Sequence, residues 1–330
     1  LRNAAFSQDR AREKLLKARH RFAGKPSSMS SPQPRAAVIG LGSMGHGMAL
    51  SLKRAGFEVV GCDVSVATLQ RFKDEGGRVA RTPAEAAEGA QVVVSVVVNA
   101  AQTEAVLFGA EGAAETMAPG AVFVSSATMD PAVVRRLAAR LEASGRLYLD
   151  APISGGAARA ARGELTIMAS GTPAAFEAAR PALQAMAAKV YELGDEAGPG
   201  AAFKMINQLL AGVHIAAAGE AMAFAAKQGL DLDKVYEVIT ASAGNSWMFE
   251  NRVPHILSGD YAPQSTIEIF VKDLGIVQDM ARAERYPAPL AAAALQMYLA
   301  AAGAGMGQDD DASVARVYAQ LSGAQLPGKK

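Results

Sequence analysis

Two regimes of hydrophobic patterning divide the chain. Past Arg35, short apolar runs at Ala36–Ile39, Phe57–Cys62, Val92–Val98, Ala121–Val124 and Leu147–Asp150 alternate with Ala-rich stretches whose apolar positions recur at helical spacing. Such alternation predicts strands joined by helices, the signature of a doubly wound parallel sheet. Past Gly198-Pro199-Gly200 the pattern stays helical. It predicts one long helix over residues 201–228, roughly 40 Å at 1.5 Å per residue, followed by helices at Leu232–Ala241, Asp273–Glu284 and Pro289–Ala302. The expected fold is therefore α/β over residues 35–197, followed by an all-α domain over residues 198–330 that includes the interdomain helix 201–228.

The turn after the first strand carries the first chemistry. Gly40-Leu41-Gly42-Ser43-Met44-Gly45 lies between an apolar run and a helical pattern, which is the context GxGxxG requires. The first glycine permits a tight turn, the second lets a pyrophosphate approach the backbone, and the third lets helix pack on strand. Asp63 closes the second strand, where a carboxylate accepts hydrogen bonds from a ribose 2′-hydroxyl and repels a 2′-phosphate. Val64 and Ser65 supply no arginine to offset that repulsion. A Rossmann domain binding NAD, with NADP disfavoured, is the expectation.

In doubly wound sheets, ligands lie at the carboxyl ends of the strands. Val98, Asn99 and Thr103 follow one such end and Ser126 and Thr128 another, as candidates for cofactor and substrate contact respectively. Asp150-Ala151-Pro152-Ile153-Ser154-Gly155-Gly156 follows the last, and its hydroxyl and closely spaced backbone donors suit a substrate carboxylate.

The long helix is apolar nearly all round, a pattern of either a buried helix or a membrane span. Lys204, Asn207, Gln208, His214 and Glu220 make the membrane costly, so a central buried helix is expected. Lys204 and Asn207 share one face, a turn apart. A buried lysine at a helix N-terminus beside a nicotinamide has its pKa lowered from ~10.4 toward neutrality, which makes Lys204 a usable general base. Asn207 is expected to orient the lysine or the substrate.

Composition narrows the field without choosing within it. The 330 residues are half hydrophobic and carry a formal net charge of +1, which gives no electrostatic footprint for nucleic acid. One cysteine, Cys62, forms no internal disulfide, and four scattered histidines offer no zinc cluster. A cytoplasmic, metal-free enzyme acting on a small molecule is expected, with no membrane partner. Residues 1–34 read differently: eight basic residues stand against Asp9 and Glu13, with no apolar core of a secretion signal. They are expected to be a leader, disordered or an extension ahead of a start at Met29.

Over Arg35–Leu321 the chain resembles the β-hydroxyacid dehydrogenases, the 3-hydroxyisobutyrate dehydrogenase-like family. The landmarks are Gly40–Gly45, Asp150–Gly156 with Gly163-Glu164-Leu165, Gly198–Asn207 and Lys272-Asp273-Leu274. The resemblance implies that Lys204 is catalytic, that Ser154, Gly155 and Gly156 hold the substrate carboxylate, and that Lys272 reaches the site near the cofactor. The family's Ser-Thr pair ahead of a proline stands here as Ala127-Thr128, so only Thr128 carries over. Ala211–Met222 and Ala243–Arg252, with Trp247 as a candidate pocket wall, resemble the subgroup that oxidises the C2 hydroxyl of L-threonate. That subgroup in places carries His where this chain has Asn207. The decarboxylating 6-phosphogluconate relatives carry an acid where Ala211 stands, so oxidation without decarboxylation is implied. Homo-oligomers through the helical domain are also implied. The alternatives are a 3-hydroxyisobutyrate or glycerate/tartronate-semialdehyde type of enzyme and, from another class, a non-catalytic NAD-binding sensor. The run Asp309-Asp310-Asp311 is expected to be a solvated helix start.

Overall fold

The computed structural model describes residues 33–328, so the leader expected over residues 1–34 lies almost wholly outside the described residues. From Pro34 onward the chain forms one compact unit. Six parallel strands build its main sheet: β1 (Arg35–Ile39), β2 (Glu58–Cys62), β3 (Arg78–Ala80), β4 (Val92–Ser95), β5 (Val122–Ser125) and β6 (Leu147–Asp150), in the order β3-β2-β1-β4-β5-β6. Helices α1 (Gly45–Arg54), α2 (Val66–Asp74), α3 (Pro83–Ala87), α4 (Ala100–Phe108) and α5 (Pro131–Glu142) connect them.

Successive side chains on a strand point to opposite faces, and here both faces are buried. Ala36, Val38, Val92, Val94, Val122 and Val124 join one core with Met48 and Leu52 of α1. Their neighbours Ala37, Ile39, Val93 and Phe123 join another with Leu107, Leu137 and Leu141. This is why the strands read as continuous apolar runs. Strand order reverses between β1 and β4, and that switch point opens the crevice above the glycine turn.

The strand expected at Val92–Val98 stops at Ser95. Val96 still donates to the Ile39 carbonyl at 2.8 Å. The chain then leaves the sheet: the Val98 N–H is taken by the Gln102 side chain, and the Asn99 side chain caps α4. A second sheet, not anticipated from the sequence, follows β6. It consists of β7 (Ile153–Ser154), β8 (Leu165–Ala169) and β9 (Ala187–Glu192), with β7 antiparallel and β9 parallel to β8. Helices α6 (Gly156–Arg162) and α7 (Pro173–Met186) link these strands. A two-residue strand followed by Gly155-Gly156 leaves no periodicity to read.

The helical part comprises α8 (Pro199–Lys227), α9 (Leu232–Thr240), α10 (Trp247–Ser258), α11 (Ile267–Ala283), α12 (Pro289–Ala301) and α13 (Val314–Ser322). Its only bridging between extended residues, among the described ones, is Thr266 with Asp310. Helix α8 meets the length and apolarity of a membrane span, and half of its most apolar window is buried inside the fold. Gly212 and Gly219 let α8 approach closely, since a Cβ there would meet Phe270 and Leu274 of α11 or the backbone of Ala315 in α13.

Two expectations are corrected here. Helix α8 is not buried all round, because Phe203 is 56% and Ile206 61% exposed, with Leu210 and Phe224 also open. Apolar residues on every face of a helix therefore do not mean that one fold covers every face. The triplet at residues 309–311 is not a solvated start either, since Asp310 and Asp311 are fully buried. Asp310 accepts from the Ala312 and Gln264 N–H groups, and Asp311 takes a two-point hydrogen bond from Arg252. Pairing with a cation and with backbone donors is what lets these carboxylates leave solvent.

Candidate active site

The first half of the site is made of backbone. A Cβ on Gly45 would fall 1.8 Å from the Gly40 carbonyl oxygen, so only glycine lets α1 start against the turn. Gly42 is different: a Cβ there would meet nothing within 4 Å. The space over the second glycine is open, as an approaching phosphate requires. The N–H groups of Gly42, Ser43 and Met44 have no hydrogen-bond partner among the described residues, so the turn and the N-terminus of α1 present unpaired donors to that space. Asp63 sits at the end of β2. Its Oδ2 accepts from the Leu41 N–H at 2.7 Å and its Oδ1 from the Ser65 N–H at 2.8 Å. These bonds tie the acid to the glycine turn and leave each oxygen a further lone pair for a ribose hydroxyl.

The second half is made of buried side chains. Helix α8 starts against β6 and β8: the Asp150 carboxylate accepts from the N–H groups of Ala201 at 2.8 Å and Gly198 at 3.2 Å. Gly200 is required by contact, because a Cβ there would fall 2.4 Å from the Met168 carbonyl oxygen. That docking sends Lys204, a turn further on, into the interior, where it is 7% exposed. Its Nζ donates to the Ile153 carbonyl at 2.8 Å, directly beside Ser154, Gly155 and Gly156. Burial lowers the Lys204 pKa to about 8, with Asp273 opposing and Lys272 reinforcing the shift.

Lys272 and Asp273 arrive from α11. Lys272 pairs with the Asp273 carboxylate and donates to the Thr128 carbonyl at 3.2 Å, joining the helical part to the loop after β5. Asp273 also accepts from the Gln208 side chain at 2.5 Å, whose own carbonyl accepts from the Asn207 amide at 2.9 Å. Lys204, Asn207, Ser154–Gly156, Thr128 and Lys272 thus belong to one connected neighbourhood. Gln208 and Asp273 were missed as site residues. A signal was present: Gln208 is one of the few polar residues of the long helix, directly after the Gly198–Asn207 landmark, and Asp273 stands inside Lys272-Asp273-Leu274.

The other candidates take no part in these hydrogen bonds. Thr103 is fully buried and its hydroxyl donates to the Asn99 carbonyl, while the Asn99 side chain accepts from the Gln102 N–H. Val98 is exposed at the strand exit. Trp247 begins α10 at 52% exposure. His214, Asn245 and Ser246 line a separate apolar cleft of about 790 Å³ between α8, α9 and α10, with neither Lys204 nor Thr128 among its walls.

Residues 35–194 match the family model described as the NAD binding domain of 6-phosphogluconate dehydrogenase. Residues 198–318 match the model described as NAD-binding of NADP-dependent 3-hydroxyisobutyrate dehydrogenase. The chain is 56% identical to the L-threonate dehydrogenase of Cupriavidus necator over 88% of its own length and 97% of that protein. The chain belongs to the 3-hydroxyisobutyrate dehydrogenase-like family. It is also 48% identical to the L-threonate dehydrogenase of Escherichia coli K12 over 89% of its length and 96% of that protein. A solved structure named 3-hydroxyisobutyrate dehydrogenase, from Salmonella typhimurium, superposes with a TM-score of 0.83 at 48% identity, covering 86% of this chain and all of that one. Membership in this family makes the chain an NAD-dependent oxidoreductase acting on CH–OH groups. The open space over Gly42, the unpaired N–H groups and the positioned carboxylate of Asp63 fit a dinucleotide.

Proposed function

We propose that the chain oxidises L-threonate at C2 with Lys204 as general base. The observation that carries this reading is the Lys204 amine, buried, hydrogen-bonded at the Ile153 carbonyl and with a pKa of about 8. Such a group exchanges its proton near neutral pH, as an alcohol oxidation requires. Ser154, Gly155 and Gly156 hold the substrate carboxylate, which sets the C2 hydroxyl toward Lys204. As the carbinol C–H bond breaks, Lys204 takes the hydroxyl proton, and in reduction it returns it. Bound NAD supplies the acceptor for the carbinol hydrogen and its electron pair.

Gly40, Leu41, Gly42, Ser43, Met44, Gly45 and Asp63 hold the cofactor, with Val98, Asn99, Thr103 and Lys272 along its path. Thr128 and Trp247 complete the substrate pocket. Residues 35–197 serve as the cofactor domain and residues 198–330 as the substrate and assembly domain, in a cytoplasmic homo-oligomer built through the helical part. The exposed apolar residues of α8 support that assembly. NAD is preferred over NADP because Asp63 sets a carboxylate against a 2′-phosphate; equal catalytic efficiency with both overturns this preference.

The substrate reading is supported by the relatives at 48 and 56% identity, which are L-threonate dehydrogenases. The name of the Salmonella structure favours 3-hydroxyisobutyrate instead. Comparing kcat/KM for L-threonate, D-threonate, D-glycerate and 3-hydroxyisobutyrate at one NAD concentration decides between them. L-threonate is expected to lead, and 3-hydroxyisobutyrate matching it overturns the reading.

A further inference from the structure

Helices α8 and α11 are joined by a hydrogen-bond chain whose direction is fixed at one end. Asp273 is 1% exposed and pairs with Lys272, so it stands as a carboxylate that only accepts. Gln208 must therefore turn its NH2 toward Asp273, as the 2.5 Å Nε2–Oδ2 contact records. That leaves the Gln208 carbonyl oxygen facing Asn207, which must answer with its own NH2, at 2.9 Å. A side-chain amide that commits its NH2 on one side presents its carbonyl on the other. The Asn207 Oδ1 has no donor among the described residues, and Asn207 is half-buried, one helical turn from Lys204.

We propose that Gln208 is a positioning residue that sets substrate specificity: clamped by Asp273, it holds the Asn207 Oδ1 as a fixed acceptor for a substrate hydroxyl on the carbon next to the one oxidised. The proposal deepens the L-threonate reading and rests on it. A fixed acceptor makes a hydroxyl at C3 worth more than a methylene. With the hydroxyl present, the Oδ1 is satisfied. With it absent, the clamp keeps the amide from turning its NH2 to the substrate, and the Oδ1, open to solvent in the free chain, faces a methylene in the complex and loses its water. An unclamped asparagine would turn away and tolerate either acid. The discrimination therefore resides in residues 208 and 273, which lie behind Asn207.

The test uses the full chain with NAD and two acids, L-threonate and 2,4-dihydroxybutanoate, which lacks only the C3 hydroxyl. The readout is the ratio of their kcat/KM values in wild type, Gln208→Met and Asp273→Asn. Met keeps the length of Gln without its hydrogen bonds. Asn at 273 can present either an acceptor or a donor, so it releases the direction of the chain while keeping the shape. Wild type is expected to favour L-threonate by ~10²-fold or more, the worth of a hydroxyl in a site built to bond it. Both variants are expected to bring the ratio below about tenfold, mainly by losing efficiency toward L-threonate. A merely structural role for Gln208 predicts a fall for both acids with the ratio unchanged. An unchanged ratio in either folded variant overturns the inference alone. Wild type that oxidises neither acid overturns the substrate reading and this inference with it.

Discussion

The two halves of the site are made of different material. Around Gly40–Gly45 the ligand-facing groups are backbone N–H donors, and the packing rule is the absence of side chains. Around Lys204 they are side chains, Lys204, Asn207 and Lys272, with Gln208 and Asp273 buried behind them in an apolar helical assembly. A backbone site presents fixed dipoles that do not titrate. A side-chain site owes its chemistry to burial, which shifts pKa values and penalises every unpaired group. The first is broken by adding atoms and the second by removing them.

Removal at Lys204 has the largest expected effect. Lys204→Ala is expected to lose ~10²–10⁴-fold in kcat, the usual worth of a positioned general base, while NAD binding measured by titration stays near wild type. Lys204→Arg should fail equally, because a guanidinium does not give up its proton near neutral pH. In wild type, oxidation should rise with pH through about 8 as the neutral amine forms. Near-normal turnover in either variant ends the assignment.

The buried Arg252–Asp311 pair tests the same rule away from the chemistry. Burial pushes the Asp311 carboxyl up to about 7 despite its two hydrogen bonds from Arg252. Arg252→Met leaves that acid alone in the interior and should cost about 3–5 kcal/mol in denaturant unfolding, whereas Arg252→Met with Asp311→Leu should regain most of the loss. If the double variant is no more stable than the single, an unpaired buried charge is not the cause.

Addition is the test for the backbone half. Gly42→Val places atoms in open space within the chain, so its melting temperature should stay close to wild type. It fills the place where the pyrophosphate approaches, and NAD affinity should fall by ~100-fold, about 2.7 kcal/mol. Unchanged affinity would remove Gly42 from the cofactor cradle.

The same contrast explains what could be read from the sequence. Glycine spacing, strand runs and the acid at Asp63 obey local rules, so the sheet and its turn were legible. Lys204 was legible because its immediate neighbours Phe203, Met205 and Ile206 are apolar, even though Phe203 and Ile206 face outward. The link from Gln208 to Asp273 spans 65 positions, and no local rule pairs them. The Arg252–Asp311 pair hid behind an acidic run that reads as solvated. The exposed face of α8 was misread because apolarity records that a face is covered, not by what.

Asp150 lies where the two materials meet, and per pH unit it gives the smallest expected effect. Its Oδ2 accepts from the N–H groups of Ala201 and Gly198 and from the Ser170 hydroxyl, while its Oδ1 is buried without a partner. Desolvation outweighs those three hydrogen bonds and raises its pKa from 3.8 to about 6. A carboxyl whose folded pKa is raised binds its proton more tightly in the folded chain. Its stabilising contribution is therefore complete below about 3.8 and lost as pH rises through about 6. Asp311 acts with the same sign over a window reaching about 7. Stability measured by denaturant unfolding should thus decline between these limits, with Asp150 supplying at most about 1.4 kcal/mol per pH unit, one proton's worth. Asp150→Asn removes that proton and should flatten the decline below pH 6 while leaving the part due to Asp311. The slope is the quantity to compare, because the variant's absolute stability also reflects an amide facing backbone donors. A variant with the wild-type slope would mean that Asp150 stays ionised throughout, and that the start of α8 holds its carboxylate more firmly than burial opposes it.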